Sequence, residues 1–167
     1  MIEIVPITEK HIDGFWAAVD SVARELKYLA FLEGPPINTT RDFVLQNIEG
    51  NWPHFVALCD DHVVGWCDIS ALDRPVFAHI GSLGMGVLAS YRGQGIGKKL
   101  IHAAIQQAEQ KGLTRIELTV REQNKRAIAL YEQFGFEKEG IHKNAVRING
   151  TYENHIFMAL LLGDAKK

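Results

Sequence analysis

The chain has 167 residues, 47% of them hydrophobic, 23% charged and 9% aromatic, with a formal net charge of -2. That length suits one domain, residues 1–167, whose core needs no disulfide or metal staple. The near-even charge balance argues against a general nucleic-acid or membrane-surface binder, and no apolar run approaches the ~20 residues that span a bilayer. Met1-Ile2-Glu3 lacks the basic lead of a signal peptide, so the expected compartment is the cytoplasm.

Residues 2–6 are short and apolar and predict a strand. Thr8 can cap a helix in which Ile12, Phe15, Trp16, Val19, Val22, Ala23 and Leu26 recur at helical spacing. Residues 29–38 contain Gly34-Pro35-Pro36 and predict a loop, because two prolines exclude a continuing helix. Thr39-Thr40 can cap a second helix carrying Phe43, Val44 and Ile48. Residues 55–59 and 63–69 read as two arms of a hairpin turning at Asp60-Asp61, the second arm running on to Leu72. This pairing holds Cys59 and Cys67 about four residues apart, roughly 13 Å at ~3.3 Å per residue. They are too distant to form a disulfide, which fits a reducing compartment.

Residues 79–88 predict another strand with three glycines, Gly81, Gly84 and Gly86. Glycine in a strand signals a bulge or the close approach of another backbone or a ligand. After residues 93–97 comes a helix striped by Ile96, Leu100, Ile101, Ala104, Ile105 and Ala108 and closed by Gly112. Residues 114–120 alternate, with Ile116, Leu118 and Val120 on one face. Asn124 caps a shorter helix to Phe134, closed by Gly135, and segments from Phe136 and over 154–162 finish as strands. Hairpin-linked strands first and βαβ units late predict an α/β fold with a mixed sheet, antiparallel at its start and parallel afterwards.

Chemistry concentrates in residues 87–98, where glycines at every second position join a strand to a long amphipathic helix. Successive N–H groups there can turn toward one external point, and a helix N-terminus adds about half a positive charge. Together they suit a phosphate or pyrophosphate. A dinucleotide fingerprint would need glycine where Lys98 stands; a Walker loop would need glycine at Arg92 and a hydroxyl at Lys99. Both fail. The glycines alone could equally serve a tight strand–helix packing.

Arg92-x-x-Gly95-x-Gly97 after the extended Met85-Gly86-Val87 resembles the acetyl-CoA signature of GNAT N-acetyltransferases. Arg115-Ile116-Glu117-Leu118-Thr119-Val120 looks like the next strand of that fold. Asn124-x-x-Ala127-x-x-x-Tyr131-x-x-x-Gly135-Phe136 looks like its following motif. The likeness is dense over residues 79–140. It continues weakly through Arg147, Gly150 and Met158, as in branches that acetylate amino acids or protein N-termini. The resemblance implies a mixed sheet with antiparallel N-terminal strands and a parallel, splayed C-terminal part flanked by helices.

It further implies that Met85, Gly86 and Val87 pair with the pantetheine arm of acetyl-CoA like an added strand. Backbone groups of Arg92, Gly93, Gln94, Gly95, Ile96, Gly97 and Lys98 belong to the pyrophosphate cradle. Asn124 is expected to contact the arm, and Tyr131 to stand near the sulfur as general acid, a phenol of pKa ~10 roughly matching an alkyl thiolate. Ala127, Tyr131 and Phe134 share one helical face, so Tyr131 also reads as a core residue. Lys98 and Lys99 either meet the nucleotide phosphate or are solvated charges. A backbone N–H of a bulged strand at residues 85–87 is the expected oxyanion donor.

Relatives often carry a basic glutamate on the strand before the cradle or on the next one. Here those places read Ile80-Gly81-Ser82-Leu83 and Thr119. His79, Glu117, Glu33 or water remain as bases. The acceptor, an amino acid, a protein N-terminus or another small amine, is expected between loop 28–36 and segment 147–155. Tyr28, Phe31, Glu33, Tyr152 and Glu153 line that expected path, its glutamates suited to a cation. No histidine pairs with a cysteine or histidine at ligand spacing, so no metal is expected. A homodimer follows from family habit. The competing readings are a CoA-binding sensor with no turnover and an acyltransferase with another donor or a hydroxyl acceptor.

Overall fold

A computed structural model describes residues 1–166; Lys167, the last residue of the expected domain, lies outside them. The elements run β1 (Ile2–Pro6), α1 (Ile12–Ala23), α2 (Ile37–Glu49), β2 (His54–Cys59), β3 (His62–Ala71), β4 (Ile80–Val87), α3 (Ile96–Gln110), β5 (Arg115–Arg121), α4 (Lys125–Gln133), β6 (Glu137–Ile148) and β7 (Thr151–Leu161). The seven strands form one sheet in the order β1-β2-β3-β4-β5-β7-β6.

Every neighbouring pair is antiparallel except β4 and β5. That parallel pair is joined only at Ile80↔Arg115, Gly81↔Ile116 and Ser82↔Glu117. Beyond Ser82 the two strands part. The mixed sheet is therefore as expected, with its parallel portion a single pair, and that pair is the splayed one.

Short-range chemistry explains the hairpins. Asp60 and Asp61 both take left-handed backbone, φ 48° and 65°, and join β2 to β3 in two residues. Cys59 then pairs with His62 and Cys67 with Phe55, and both thiols are free. Asn149 and Gly150, φ 51° and 78°, turn β6 into β7 in the same way.

Alternation divides the sheet into two packed faces. Cys67, Ile69, Leu83, Ile116 and Leu118 meet Leu100, Ile101 and Ala104 of α3 and Ile128 of α4. On the other face Val56 and Trp66 meet Phe15, Val19 and Val22 of α1 and Val44 of α2.

Three local expectations need correction. Helix α1 stops at Ala23, and Leu26, at φ 60°, lies beyond it. Helix α2 begins at Ile37 behind Pro36, so Thr39 and Thr40 sit inside the helix instead of capping it. β4 carries no bulge: its register with β3 is unbroken from Gly65↔Val87 to Ala71↔Gly81. Two of its glycines answer to packing, since a Cβ on Gly81 would strike Ile69 and one on Gly86 would strike the Trp66 indole. Gly84 differs: a Cβ there would make only ordinary contact with the Asp68 carboxyl, at 3.5 Å.

Candidate active site

The parting of β4 from β5 opens a cleft of about 550 Å³, walled by β4, the start of α3 and one side of α4. The backbone of β4 is aimed at it. Leu88 donates its N–H to Val64 of β3 (2.9 Å), whereas the Val87 carbonyl turns away from β3 to accept from Arg92 Nε (2.9 Å). Because backbone groups alternate sides along a strand, Met85 also presents its N–H and carbonyl to the gap. Strand alternation, without a bulge, thus turns the Met85 N–H toward the gap.

At the far end of the cleft, Gly93 and Gly95 adopt φ +80° and +77°, which only glycine holds at low cost. The first bond of α3 is Lys99 N–H to the Gly95 carbonyl, 3.2 Å. Among the described residues, the N–H groups of residues 93–98 donate to no protein acceptor. Six backbone donors and the positive end of a 15-residue helix meet there. Gly97 serves a further purpose. A Cβ on it would lie 3.3 Å from both Leu130 and Met85, so its bareness seats α3 against α4 and β4. Lys98 lines the cleft; Lys99 is exposed and stands off it. Gln94 is exposed, its side chain reaching back to the Ser90 carbonyl at 3.4 Å, and the Ile96 side chain is buried in the core.

Arg92 lines the cleft, and its side chain is engaged within the protein. Its guanidinium spans Glu25 with two bonds of 3.0 and 2.5 Å, bonds the Val87 carbonyl, and stacks over Tyr28 at 4.7 Å. It ties the end of β4 to the segment after α1. A cation that sequence reasoning passed over lies nearer: Arg126 Nη2 is 3.1 Å from the place a Gly93 Cβ would take. The variable slots of the Asn124-x-x-Ala127 motif held that signal. Asn124 caps α4, accepting from the Ala127 N–H at 3.2 Å, and also lines the cleft.

Tyr131 is both a core residue and a cleft residue. Its ring packs in the core beside Phe136, with centroids 5.7 Å apart, and it also lines the cleft. Burial pushes its phenol well above the ordinary range, so the proton stays on across neutral pH.

The expected acceptor side is built differently. Loop 28–36 is pinned to α1 by Trp16 Nε1 donating to the Pro35 carbonyl (2.6 Å) and the Gly34 N–H donating to Asp20 (2.8 Å). Arg121, fully buried, donates to the Leu26 and Leu29 carbonyls at 3.2 and 2.7 Å and to Glu153 at 3.0 Å. Glu153 is therefore neutralised by that arginine, and Glu33 by Arg24 at 3.3 Å. The two glutamates do not form an acidic pair. Tyr28 lines the cleft, while Phe31 and Tyr152 are about half exposed and do not, Tyr152 lying under Arg147.

None of the three side chains proposed as base is poised at the cleft. His79 is exposed and Glu33 is engaged as described. Glu117 binds Arg115 at 3.0 Å, and Arg115 also binds Glu139 at 2.6 Å. Among the described residues no cluster of His, Cys, Asp or Glu could hold a metal ion.

A splayed strand edge leading to a nest of unpartnered N–H groups is an arrangement suited to a phosphate-bearing ligand. Residues 16–136 match the acetyltransferase (GNAT) family, and the chain belongs to that family. It is 34% identical over 105 residues to an L-amino acid N-acetyltransferase of Escherichia coli, covering 62% of this chain and 65% of the relative. It is 39% identical over 70 residues to the E. coli [ribosomal protein bS18]-alanine N-acetyltransferase, covering 42% of this chain and 47% of that one. The chain thus spans about half to two thirds of the length of these relatives. A phosphinothricin acetyltransferase of Sinorhizobium meliloti, solved in complex with acetyl-CoA, superposes with a TM-score of 0.92 at 19% identity, over 98% of this chain and 90% of that one. At that identity the likeness speaks for the fold.

Proposed function

We propose that the protein is an N-acetyltransferase that moves the acetyl group of acetyl-CoA to a primary amine, that of an amino acid or a protein N-terminus. The observation that carries this reading is one cleft joining three features: the β4 edge at Met85 and the Val87 N–H, the six unpartnered N–H groups of residues 93–98, and Tyr131. The residues present fit the cofactor. The N–H nest suits a pyrophosphate, Lys98 and Arg126 add positive charge, and the β4 edge suits the amides of a pantetheine arm. Acetyl-CoA supplies the activated acyl group.

The protein's own groups account for the remaining chemistry. In this reading the Met85 N–H, on the side of β4 that faces the splay, stabilises charge on the thioester oxygen. Tyr131 acts as general acid toward the departing sulfur, and burial keeps its proton in place until that step. Arg92 and Arg121 fix the walls without touching the reacting atoms. No helix among the described residues is long and apolar enough to cross a membrane.

A CoA-binding module without turnover is the competing reading, favoured by the engaged state of Glu33 and Glu117. Thiol release from acetyl-CoA with twenty L-amino acids and an alanine-initiated peptide separates them. The enzyme releases thiol with at least one acceptor; a sensor binds CoA and releases none.

A further inference from the structure

On the α1/α2 face of the sheet, Asp68 of β3 lies between His54 of β2 and Gly84 of β4 in register. Aspartate is depleted in strands, and this one interrupts the apolar run Trp66-Cys67-Asp68-Ile69. The residue is 7% exposed, makes no hydrogen bond or ion pair among the described residues, and yet neither carboxylate oxygen is sealed from solvent. A buried carboxylate without a partner is costly, and a structure that retains one has a use for it.

The surroundings give that use a direction. A Cβ on Gly84 would stand 3.5 and 3.6 Å from the two Asp68 oxygens, so glycine there leaves that side of the carboxylate without a side chain over it. Gly84 lies just past the last β4–β5 pair, Ser82↔Glu117, and the next residue is Met85, whose backbone faces the cleft. Gly84 and Ser82 are half-buried and Thr119 is exposed, so this face beside the splay stays open. Glu25, Glu33, Glu117 and Glu153 are each bound to an arginine. Asp68 has no such cation.

We propose that Asp68 is the general base of the transfer, reached by the acceptor amine across the bare backbone of Gly84. The proposal rests on the N-acetyltransferase reading above. The acceptor ammonium gives one proton to the Asp68 carboxylate, directly or through one water. The freed lone pair forms the C–N bond to the thioester carbonyl carbon, and the C–S bond breaks with its electron pair going to sulfur. Of the two protons the nitrogen loses, one passes through Asp68 to solvent and the other ends on the CoA thiol. No electrons are gained or lost overall.

The groups facing Asp68 leave it free to act near neutral pH. Burial raises its carboxyl to about 7. Its cross-strand neighbour His54 is held near 3 by burial and is neutral. Burial also pushes up the adjacent Cys67 thiol, which keeps it uncharged. Gly84 and Ser82 of β4 carry no charge, and Asn47 of α2 is spent on His54 at 3.1 Å.

The test uses the whole chain with acetyl-CoA and the best acceptor from the twenty amino acids and the alanine-initiated peptide. Wild-type kcat/KM should rise with pH to a plateau with an apparent pKa of about 7. Asp68→Asn should lose that limb and ~10²–10⁴-fold in kcat, while its CoA affinity by calorimetry stays within about twofold. Gly84→Ala places a methyl in ordinary contact with the carboxylate and should raise acceptor KM about tenfold with the thermal midpoint unchanged. An Asp68→Asn enzyme within about threefold of wild type that keeps the limb overturns the proposal and leaves the acetyltransferase reading standing. A wild type that binds CoA and releases no thiol overturns both. Carbon-13 NMR of the Asp68 carboxyl gives a readout independent of turnover: a midpoint near 7 supports the base, and one below 5 overturns it.

Discussion

The proposed cofactor half and the proposed acceptor half of this molecule are held by different kinds of bond. The cofactor half is made of backbone: the β4 edge and the N–H groups of residues 93–98, set by chain direction and by two left-handed glycines. The acceptor half is made of side chains that reach across the sequence. Arg92 meets Glu25 across 67 positions, and Arg121 meets Leu29 across 92. A backbone site follows from local residue types and their spacing, so it is written in one short stretch of chain. A site of side-chain struts depends on the finished fold.

Tyr131 belongs to both designs, with its ring in the core and its edge at the cleft. Tyr131→Phe keeps the ring and removes the proton. The expected loss in kcat is ~10²–10⁴-fold at unchanged acetyl-CoA KM, with the thermal midpoint barely moved. Steady-state kinetics beside a melting curve check it. Near-wild-type turnover would assign the residue to the core and make the cofactor half purely backbone.

Asp68 sharpens the contrast through pH. Its carboxyl is raised in the fold from 3.8 to about 7, so the folded state binds that proton more tightly than the unfolded one. The stabilisation is fully present below pH 3.8, is lost as pH rises through about 7, and amounts to an order of 4 kcal/mol. Asp68→Asn cannot titrate. Above pH 7 it should therefore be the more stable protein, by a margin that shrinks to nothing toward pH 4. His54, held near 3 in both, loses stability on the acid side equally and cancels. Urea unfolding of the two proteins at several pH values measures the difference. A constant difference across pH would place Asp68 in an ordinary polar environment.

Next in size is Arg121→Met, which removes the strut and leaves Glu153 and two carbonyls without their donor. Breaking one side of a buried ion pair costs about 3 kcal/mol or more. Urea denaturation should show that loss, and acceptor KM should rise far more than acetyl-CoA KM, because the displaced loop belongs to the acceptor half. Equal changes in both constants would mean that the two halves are mechanically one.

The same contrast explains what could be read from the sequence. The strands, α3, α4 and the glycine cradle rest on periodicity and punctuation, and these are local. The turn at Asp60-Asp61 was legible for the same reason. The start of α2 was misread because two threonines after a proline look like caps, whereas Pro36 itself already sets the entry. The glycines of β4 suggested a bulge, yet Gly81 and Gly86 answer to Ile69 and Trp66 on the neighbouring strand, a relation invisible without the register. Arg92 sat in a recognisable motif, but Glu25 lies far up the chain, so its true partner could not be inferred. Asp68 did leave a local trace, an acid within an apolar strand, which spacing arguments alone did not connect to Gly84.

The smallest expected effect concerns Glu33, which from its place in loop 28–36 would be expected to attract a cationic acceptor. Its side chain is 68% exposed and already paired with Arg24 at 3.3 Å. An exposed pair of this kind contributes about 0–1 kcal/mol, and salt at 0.15 M screens it beyond ~8 Å. The carboxylate thus presents little net charge to an incoming amine, and Asp20 keeps Arg24 in place from the other side at 3.0 Å. Glu33→Gln should accordingly leave stability within about 0.5 kcal/mol. It should also leave the acceptor KM within about twofold for neutral and cationic amines alike, measured at low and physiological salt. A several-fold rise confined to cationic acceptors, and larger at low salt, would show that the acceptor competes with Arg24 for this carboxylate. The acceptor half would then contain one contact that a local reading of the loop had found, and the division between a legible backbone site and an illegible side-chain site would move to include it.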